Sequence, residues 1–353
     1  MRTVAILGGG GTGCAMAADN TLRGNSVRLW EDKRFYDENL SAIAHLGGMN
    51  LTGNATTGFA EIGMLTSDMA EAVAGAEVVM IAALTARHVD IIKELAPLLE
   101  SGQTVCFSAG NCSSIALKNA LPATLDVVVG EMSGNVFPCR ISGEGEAFIA
   151  LPYKAKPVAA FPSADTQRLV EGLAGVYECV SLTNVLEATI LSPSIPIHLA
   201  GALLNTCAID HNPDFRLYAE GLSKHVIQVM EEVELERLRV LKEMGYREVM
   251  QVPFVHQLAK QDAFPELDLF RSVAGPSSMA HRYVSEDAIF GQSLFLSLAD
   301  TLGIEMPCTH ALMVLAGVIN KADYLSEGMT LTDLGMGGMH RDQINAYLQA
   351  GKV

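Results

Sequence analysis

The chain is short of positive charge and of aromatic side chains, and it has neither paired cysteine spacings nor a long uncharged apolar run. Lys and Arg number 24 against 40 Asp and Glu among 353 residues, giving a formal charge of −16. A field of that sign repels phosphate backbones and anionic membrane surfaces, so nucleic acid and membranes are excluded as expected partners. The seven cysteines, at 14, 106, 112, 139, 179, 207 and 308, are odd in number and show no C-x-x-C spacing. That argues against a disulfide framework, and free thiols in a cytoplasmic, reducing setting are the expectation. No cluster with metal-ligand spacing occurs, and no metal is expected. The most apolar span, Ala70 to Ala86, is interrupted by Glu71 and Glu77, so it is not read as a membrane helix. Met1-Arg2 leads directly into an apolar strand, and no secretory leader is expected. Internal repeats and low-complexity tracts are missing as well.

What is present is an apolar share of 49% with 18% charged residues, the balance of a globular protein with large cores. The length exceeds that at which one core keeps growing, so two domains are expected. The strand-like Val4-Ala5-Ile6-Leu7 runs into Gly8-Gly9-Gly10-Gly11-Thr12-Gly13 and then into a helical stretch that ends near Gly24. This is G-x-G-x-x-G in the setting that binds a dinucleotide. Gly8 permits the tight turn, Gly10 the approach of a pyrophosphate, and Gly13 close helix packing. The amides of Gly11 and Thr12 open the helix toward the phosphate charge. A second strand, 26 to 30, delivers Glu31 about twenty residues past the glycines, where a carboxylate accepts the adenosine ribose hydroxyls and repels a 2′-phosphate. NAD(H) is therefore favoured over NADP(H), although Lys33 and Arg34 just beyond would tolerate the phosphate.

Strand and helix patterns alternate after Glu31, as in a parallel sheet covered by helices. Helices are expected at 67–75, 87–99 and 113–121, and strands at 77–83, 103–109 and 126–131. Leu84 and Asn111 lie at the carboxyl ends of two of these strands, where such sheets bind cofactors, and are further cofactor-binding candidates. Strand-like patterns from 139 to 162 and a helix at 165–176 follow. Beyond Asn184 the character becomes helical. Val226, Val229, Met230, Val233, Val240, Leu241 and Met244 share one face of a long helix, with Glu231, Glu232, Glu234, Glu236, Arg237, Arg239 and Lys242 read as its solvated side. Further helices are expected at 263–272, 289–302, 308–320 and 341–350. The fold class is thus α/β, with a doubly wound Rossmann-type domain over 1–183 followed by an all-helical domain over 184–353.

Two segments of the helical region carry chemistry. In Ser192-Pro193-Ser194-Ile195-Pro196-Ile197-His198 two prolines interrupt a helical pattern and present a histidine among apolar residues. By itself it fits a core or capping histidine as well as a catalyst. In Arg282-Tyr283-Val284-Ser285-Glu286-Asp287 the charges fit either a helix cap or a binding site.

With Gly8 to Gly13, the Gly130-Glu131 to Cys139-Arg140 stretch, the 184–205 segment around His198, Tyr218-x-Glu220-Gly221, Arg282-Tyr283-x-x-Glu286-Asp287 and Leu331-x-x-Leu334-Gly335 in this order, nearly the whole chain resembles the octopine/nopaline type of opine dehydrogenases. The resemblance is strongest to the bacterial enzymes that form N-(1-carboxyethyl) amino acids. It implies a catalytic histidine at His198, a carboxylate partner at Asp287, and substrate binding by Arg282 with Tyr283. The implied substrates are an amino acid and a 2-oxo acid such as pyruvate, joined through an imine that NAD(H) reduces. The histidine suits proton transfer near neutral pH, and the arginine's planar fork suits a carboxylate. The proline that commonly follows the family's histidine is Leu199 here. Alternatives are a ketopantoate-reductase-like 2-oxo or 2-hydroxy acid oxidoreductase without amine condensation and a non-catalytic NAD(H)-sensing regulator. The sequence is compatible with a homodimer.

Overall fold

A computed structural model describes residues 1–352, which divide into two compact units, Met1–Ala188 with Leu348–Lys352, and Thr189–Tyr347. The division falls past 184, and the last residues go with the first unit, where the space beside Gly351 is filled by Pro162 and Leu348 is fully buried.

In chain order the first unit has β1 (Thr3–Leu7), α1 (Gly11–Leu22), β2 (Ser26–Trp30), α2 (Lys33–Leu46), β3 (Met49–Gly53), β4 (Gly58–Ala60), β5 (Met64–Thr66), α3 (Met69–Val73) and β6 (Val78–Ile81). It continues with α4 (His88–Leu95), β7 (Thr104–Phe107), α5 (Ser113–Ala120), β8 (Val128–Met132), β9 (Cys139–Gly143), β10 (Glu146–Ile149), β11 (Lys156–Ala160), α6 (Thr166–Leu173) and β12 (Cys179–Ser181). Eight strands form one sheet in the order β12-β11-β8-β7-β6-β1-β2-β5, parallel except where β11 meets β8. The strands β6, β7 and β8 are buried along their whole length, as befits a sheet covered on both faces. Alternation then assigns each side chain to a layer: Val4, Ile6, Val78, Met80 and Cys106 belong to one core, and Ala5, Leu7, Val79, Ile81 and Phe107 to the other. The order reverses at β1, between β6 and β2, which opens a crevice at the strands' carboxyl ends.

The strand-like stretch from 139 contributes β9 and β10 to a second sheet, β4-β3-β10-β9, whose other half, from residues 49–60, the sequence pattern does not announce. Its Met49, Leu51, Ala147 and Ile149 share a core with Cys14, Ala15 and Ala18 of α1. The strands of this sheet are short and half exposed, so they carry little of the alternation that betrays a strand.

The helices that follow are α7 (Val185–Ile190), α8 (Ser194–Leu203), α9 (Thr206–His211), α10 (Leu217–Glu220), α11 (Lys224–Met244), α12 (Val252–Ala259), α13 (Asp268–Arg271), α14 (Ser293–Leu302), α15 (Pro307–Asn320), α16 (Tyr324–Glu327) and α17 (Arg341–Ala350), with a π-helical turn at Asp287–Gln292 entering α14. The helix expected at 263–272 is two 3₁₀ turns and the short α13, because Pro265 interrupts it. The stretch most like a membrane span is not Ala70–Ala86 but Val185–Leu203, and 83% of its apolar window is buried inside the protein, which accounts for its composition.

The solvated side assigned to α11 is corrected by the structure. Glu234, Glu236 and Arg237 have no exposed surface. Glu234 accepts from the amides of Gln251 and Val252 at 2.6 and 2.9 Å, capping the start of α12, and pairs with Arg237 at 2.7 Å. Glu236 caps α15 by accepting from the amides of Cys308 and Thr309 at 2.7 and 2.9 Å. Arg237 also donates to the carbonyls of Ile190, Leu191, Ser192 and Val249. Glu232, Arg239 and Lys242 are exposed as expected, and Glu231 is partly so. On α8, Gly201 leaves room for Leu217 and for Met230 of α11, either of which a Cβ would strike near 3 Å.

Candidate active site

In the first unit the glycine turn has the form a dinucleotide pyrophosphate needs. Gly8 has φ +117° and donates to the Trp30 carbonyl at 2.9 Å, and a side chain there would press on the backbone of Ala82 and Ala83. Gly10 is the exposed N-cap of α1, with nothing within 4 Å of where its Cβ would stand. The helix start has no capping side chain and no acidic residue, so the amides of Gly11, Thr12 and Gly13 lack side-chain competitors for an anion. Gly13 packs so closely that a Cβ would lie 1.7 Å from the Gly8 carbonyl oxygen. These features fit a bound pyrophosphate.

Glu31 is only 1% exposed, and both its oxygens are engaged. One accepts from the Gly9 amide at 2.8 Å and the Asn39 amide group at 2.9 Å; the other accepts from the Asp32 amide at 2.8 Å and pairs with Arg87 at 2.9 Å. The Arg87 guanidinium also lies 4.8 Å from the centre of the Phe35 ring. Arg34 is paired with Asp32, which it holds down to about pH 2 on the titration scale. Leu84 is about half exposed at the end of β6. Asn111 follows β7 with φ +48° and donates from its side chain to the Thr85 hydroxyl at 2.8 Å.

In the helical unit three of the four expected residues and one unexpected residue meet around an imidazole. His198 is presented by α8, and its Nδ1 lies 2.6 Å from Asp287 Oδ2. Its Nε2 lies 3.1 Å from the Tyr218 hydroxyl. The Tyr283 ring stacks on the imidazole with centroids 3.6 Å apart and planes 12° from parallel. His198 and Asp287 keep 13% and 15% of their side chains exposed, so the pair is sheltered yet reachable. Asp287 opens the π-helical turn, its amide donating to the Arg282 carbonyl five residues back at 3.1 Å. In the same turn Gln292 donates to the Ile195 carbonyl at 2.6 Å, which ties this turn to α8. π-Turns recur at functional sites because the extra residue redirects side chains. The half-buried Arg282 lies with its guanidinium carbon 5.1 Å from the Tyr283 ring centre, and makes no side-chain hydrogen bond or ion pair among the described residues.

With Asp287 accepting from Nδ1–H, the Nε2 lone pair faces the Tyr218 hydroxyl, and a second proton gives an imidazolium that Asp287 stabilises. The cluster is therefore a poised proton donor and acceptor beside the Arg282 cation, whose charge Asp287 and Glu286 favour. Tyr218 was noted in the sequence only as part of a motif. Its partnership with His198, twenty residues away, depends on the turn from α8 into α10.

The helical region, residues 181–320, matches the family model described as NAD/NADP octopine/nopaline dehydrogenase, alpha-helical domain. The chain is 27% identical to an opine dehydrogenase of Arthrobacter sp. (strain 1C) and 25% identical to a vitopine synthase of Allorhizobium ampelinum, each alignment covering 96% of both chains. A solved structure of octopine dehydrogenase with NADH and agmatine superposes with a TM-score of 0.71 at 16% identity over 100% of this chain and 99% of that one. A ketopantoate reductase from Ralstonia eutropha shares the fold at a TM-score of 0.62 and 18% identity, covering 90% and 98%.

Proposed function

We infer that this chain, a member of the octopine/nopaline dehydrogenase family, is an NAD(H)-dependent opine dehydrogenase that joins an amino acid to a 2-oxo acid by reductive condensation and catalyses the reverse oxidation. The observation that carries this reading is the His198–Asp287 pair with Arg282 on the same turn, in a chain similar to an opine dehydrogenase over 96% of its length. The reaction class needs these groups. The amine adds to the oxo carbon and water leaves, giving an imine, and this requires protons to be taken up and released near neutral pH. His198 moves those protons at Nε2, with the Tyr218 hydroxyl in reach of the same nitrogen, while Asp287 holds the ring and offsets its positive charge. Arg282 clamps the oxo acid's carboxylate, with Tyr283 forming the wall beside it. NADH, when bound, supplies the hydride that converts the imine to a secondary amine.

Gly8 to Gly13 hold the cofactor's pyrophosphate in this reading, and Leu84 and Asn111 line its other end. Glu31 sets the preference for NAD(H) from within, through its charge and its hold on Gly9 and Arg87. Seven free cysteines support a cytoplasmic setting. The test is a matrix of amino acids against pyruvate, glyoxylate, oxaloacetate and 2-oxoglutarate, followed by NADH consumption. Turnover that requires both partners supports opine synthesis. Oxo-acid reduction without amine would select the ketopantoate-reductase-like reading, and NADH binding without any turnover would select the sensor.

A further inference from the structure

Two strands along the sheet from β1, the segment that follows β7 holds three of the four non-glycine residues with positive φ among the described residues. Ala109, Asn111 and Cys112 have φ of +60°, +48° and +64°, three side-chain-bearing residues in the left-handed region within four positions. Each such residue is disfavoured unless its surroundings hold it, and such strain gathers where a site must be rigid. The surroundings here are built to hold it. Glu131, fully buried on β8, accepts from the Cys112 amide at 3.0 Å, and its other oxygen fills the place where a Gly110 side chain would stand, 1.8 Å from that Cβ. His88, also buried, lies 2.8 Å from the Ser113 hydroxyl and 3.1 Å from the Ala83 carbonyl. The Ala109 amide donates to Gly134 at 3.1 Å, and Asn111 is pinned to Thr85 by its amide nitrogen. That leaves the Asn111 carboxamide oxygen, on a half-buried side chain, unbonded among the described residues.

We propose that Ala109–Cys112 is a strained platform, latched by Glu131, that aims the Asn111 carboxamide oxygen at the carboxamide of the nicotinamide ring and so fixes that ring for hydride transfer. Glu131 is a positioning residue in this scheme, since it acts through the Cys112 amide. The proposal rests on the reading of the first unit as the NADH domain, and binding of NADH and ADP-ribose to the parent protein tests that reading separately: binding of neither overturns it.

ADP-ribose shares every part of NADH except the nicotinamide, so it separates the platform from the rest of the site. Ala109→Gly, which removes one methyl from a half-exposed position and relaxes the turn, should leave ADP-ribose affinity within about twofold while weakening NADH by about tenfold, the size of one lost oriented contact. Its melting temperature should not fall, because strain is relieved. Glu131→Ala should show the same selective loss, and Glu131→Gln, whose amide oxygen can still accept from Cys112, should recover most of it. Equal weakening of ADP-ribose and NADH by Ala109→Gly, or no change in either, would overturn the proposal.

Discussion

Glu131 and His88 also make a prediction about stability that can be worked from burial alone. Both are enclosed in the first unit, and burial disfavours their charged forms: it pushes the His88 imidazole down from 6.5 to about 4 and the Glu131 carboxyl up from 4.5 to about 8. Between about pH 4 and 6.5 the unfolded chain protonates His88 and the native one does not, so His88 contributes stability that is present above 6.5 and lost as pH falls. Glu131 does the opposite. The native protein keeps its proton up to about pH 8 while the unfolded chain releases it at 4.5, so its contribution is present below 4.5 and lost as pH rises through 8. From 4.5 to 6.5 each state binds one proton between the two groups, and their effects cancel. Above 6.5 Glu131 is the one of the two that acts, and Lys156, at about 8, and the thiols of Cys14 and Cys179 change their charge difference at higher pH. The expected loss from pH 6.5 to 8 is about 1.5 units at about 1.4 kcal/mol each, or roughly 2 kcal/mol.

The chain's one tryptophan, Trp30, is buried in β2 of the same unit, so its fluorescence during urea titrations reports this unit's unfolding. Glu131→Gln should remove the decline between pH 6.5 and 8 and expose the His88 slope below 6.5. A parent protein equally stable at 6.5 and 8, or a variant that keeps the parent's decline, would refute the reasoning.

Asp287→Asn should lower kcat by about 10 to 150-fold, the equivalent of about 1.5 to 3 kcal/mol for a hydrogen bond to a charged partner, with NADH affinity unchanged; unaltered kcat would return His198 to a structural role. Arg282→Lys should raise KM for the oxo acid at least about tenfold and leave NADH binding alone, and the reverse pattern would remove Arg282 from the substrate site. NADH should bind more tightly than NADPH, and Glu31→Gln should narrow the gap by removing a negative charge and releasing Arg87; a constant ratio of dissociation constants would count against Glu31 as the discriminator. Arg237→Met should destabilise the helical unit by about 3 to 5 kcal/mol, because Glu234 is left buried without its cation, and a melting curve within a degree or two of the parent's would contradict that.

Local chemistry made some of this molecule legible before the fold was known. The glycine turn, the strand before it and the helix after it are neighbours in sequence and in space, so the spacing alone located them. His198, Asp287 and Arg282 were marked by residue type and by a family resemblance, and the structure brings the first two within 2.6 Å although 89 positions separate them. No spacing rule foretells that meeting. Nor does any rule foretell that Tyr218 meets the other imidazole nitrogen, or that the Tyr283 ring stacks on the imidazole. Glu131 stands in the sequence only as part of a motif, and His88 carries no signal there, for a related reason: an acid or imidazole in a sequence gives no sign of burial, which here comes from the packing of β8 and α4.

The misreading of α11 shows where a general assumption fails. A charged stripe on an amphipathic helix is read as wet because transferring an ion out of water costs several kcal/mol. That holds when the helix has one covered face, but α11 has neighbours on several sides, and the ends of those neighbours are charged in their own right. Helix starts present unsatisfied amides and helix ends present unsatisfied carbonyls. Glu234 and Glu236 meet the first kind at α12 and α15, while Arg237 meets the second kind at Ile190, Leu191 and Ser192. Each ion thus exchanges hydration for several fixed dipoles, and in doing so removes the cost of burying those dipoles. The placement has a further result for the active site. The carbonyls that Arg237 gathers come immediately before α8, the helix that presents His198, so the buried charges of α11 fix the entry of the chain into the segment whose orientation the proton transfer depends on.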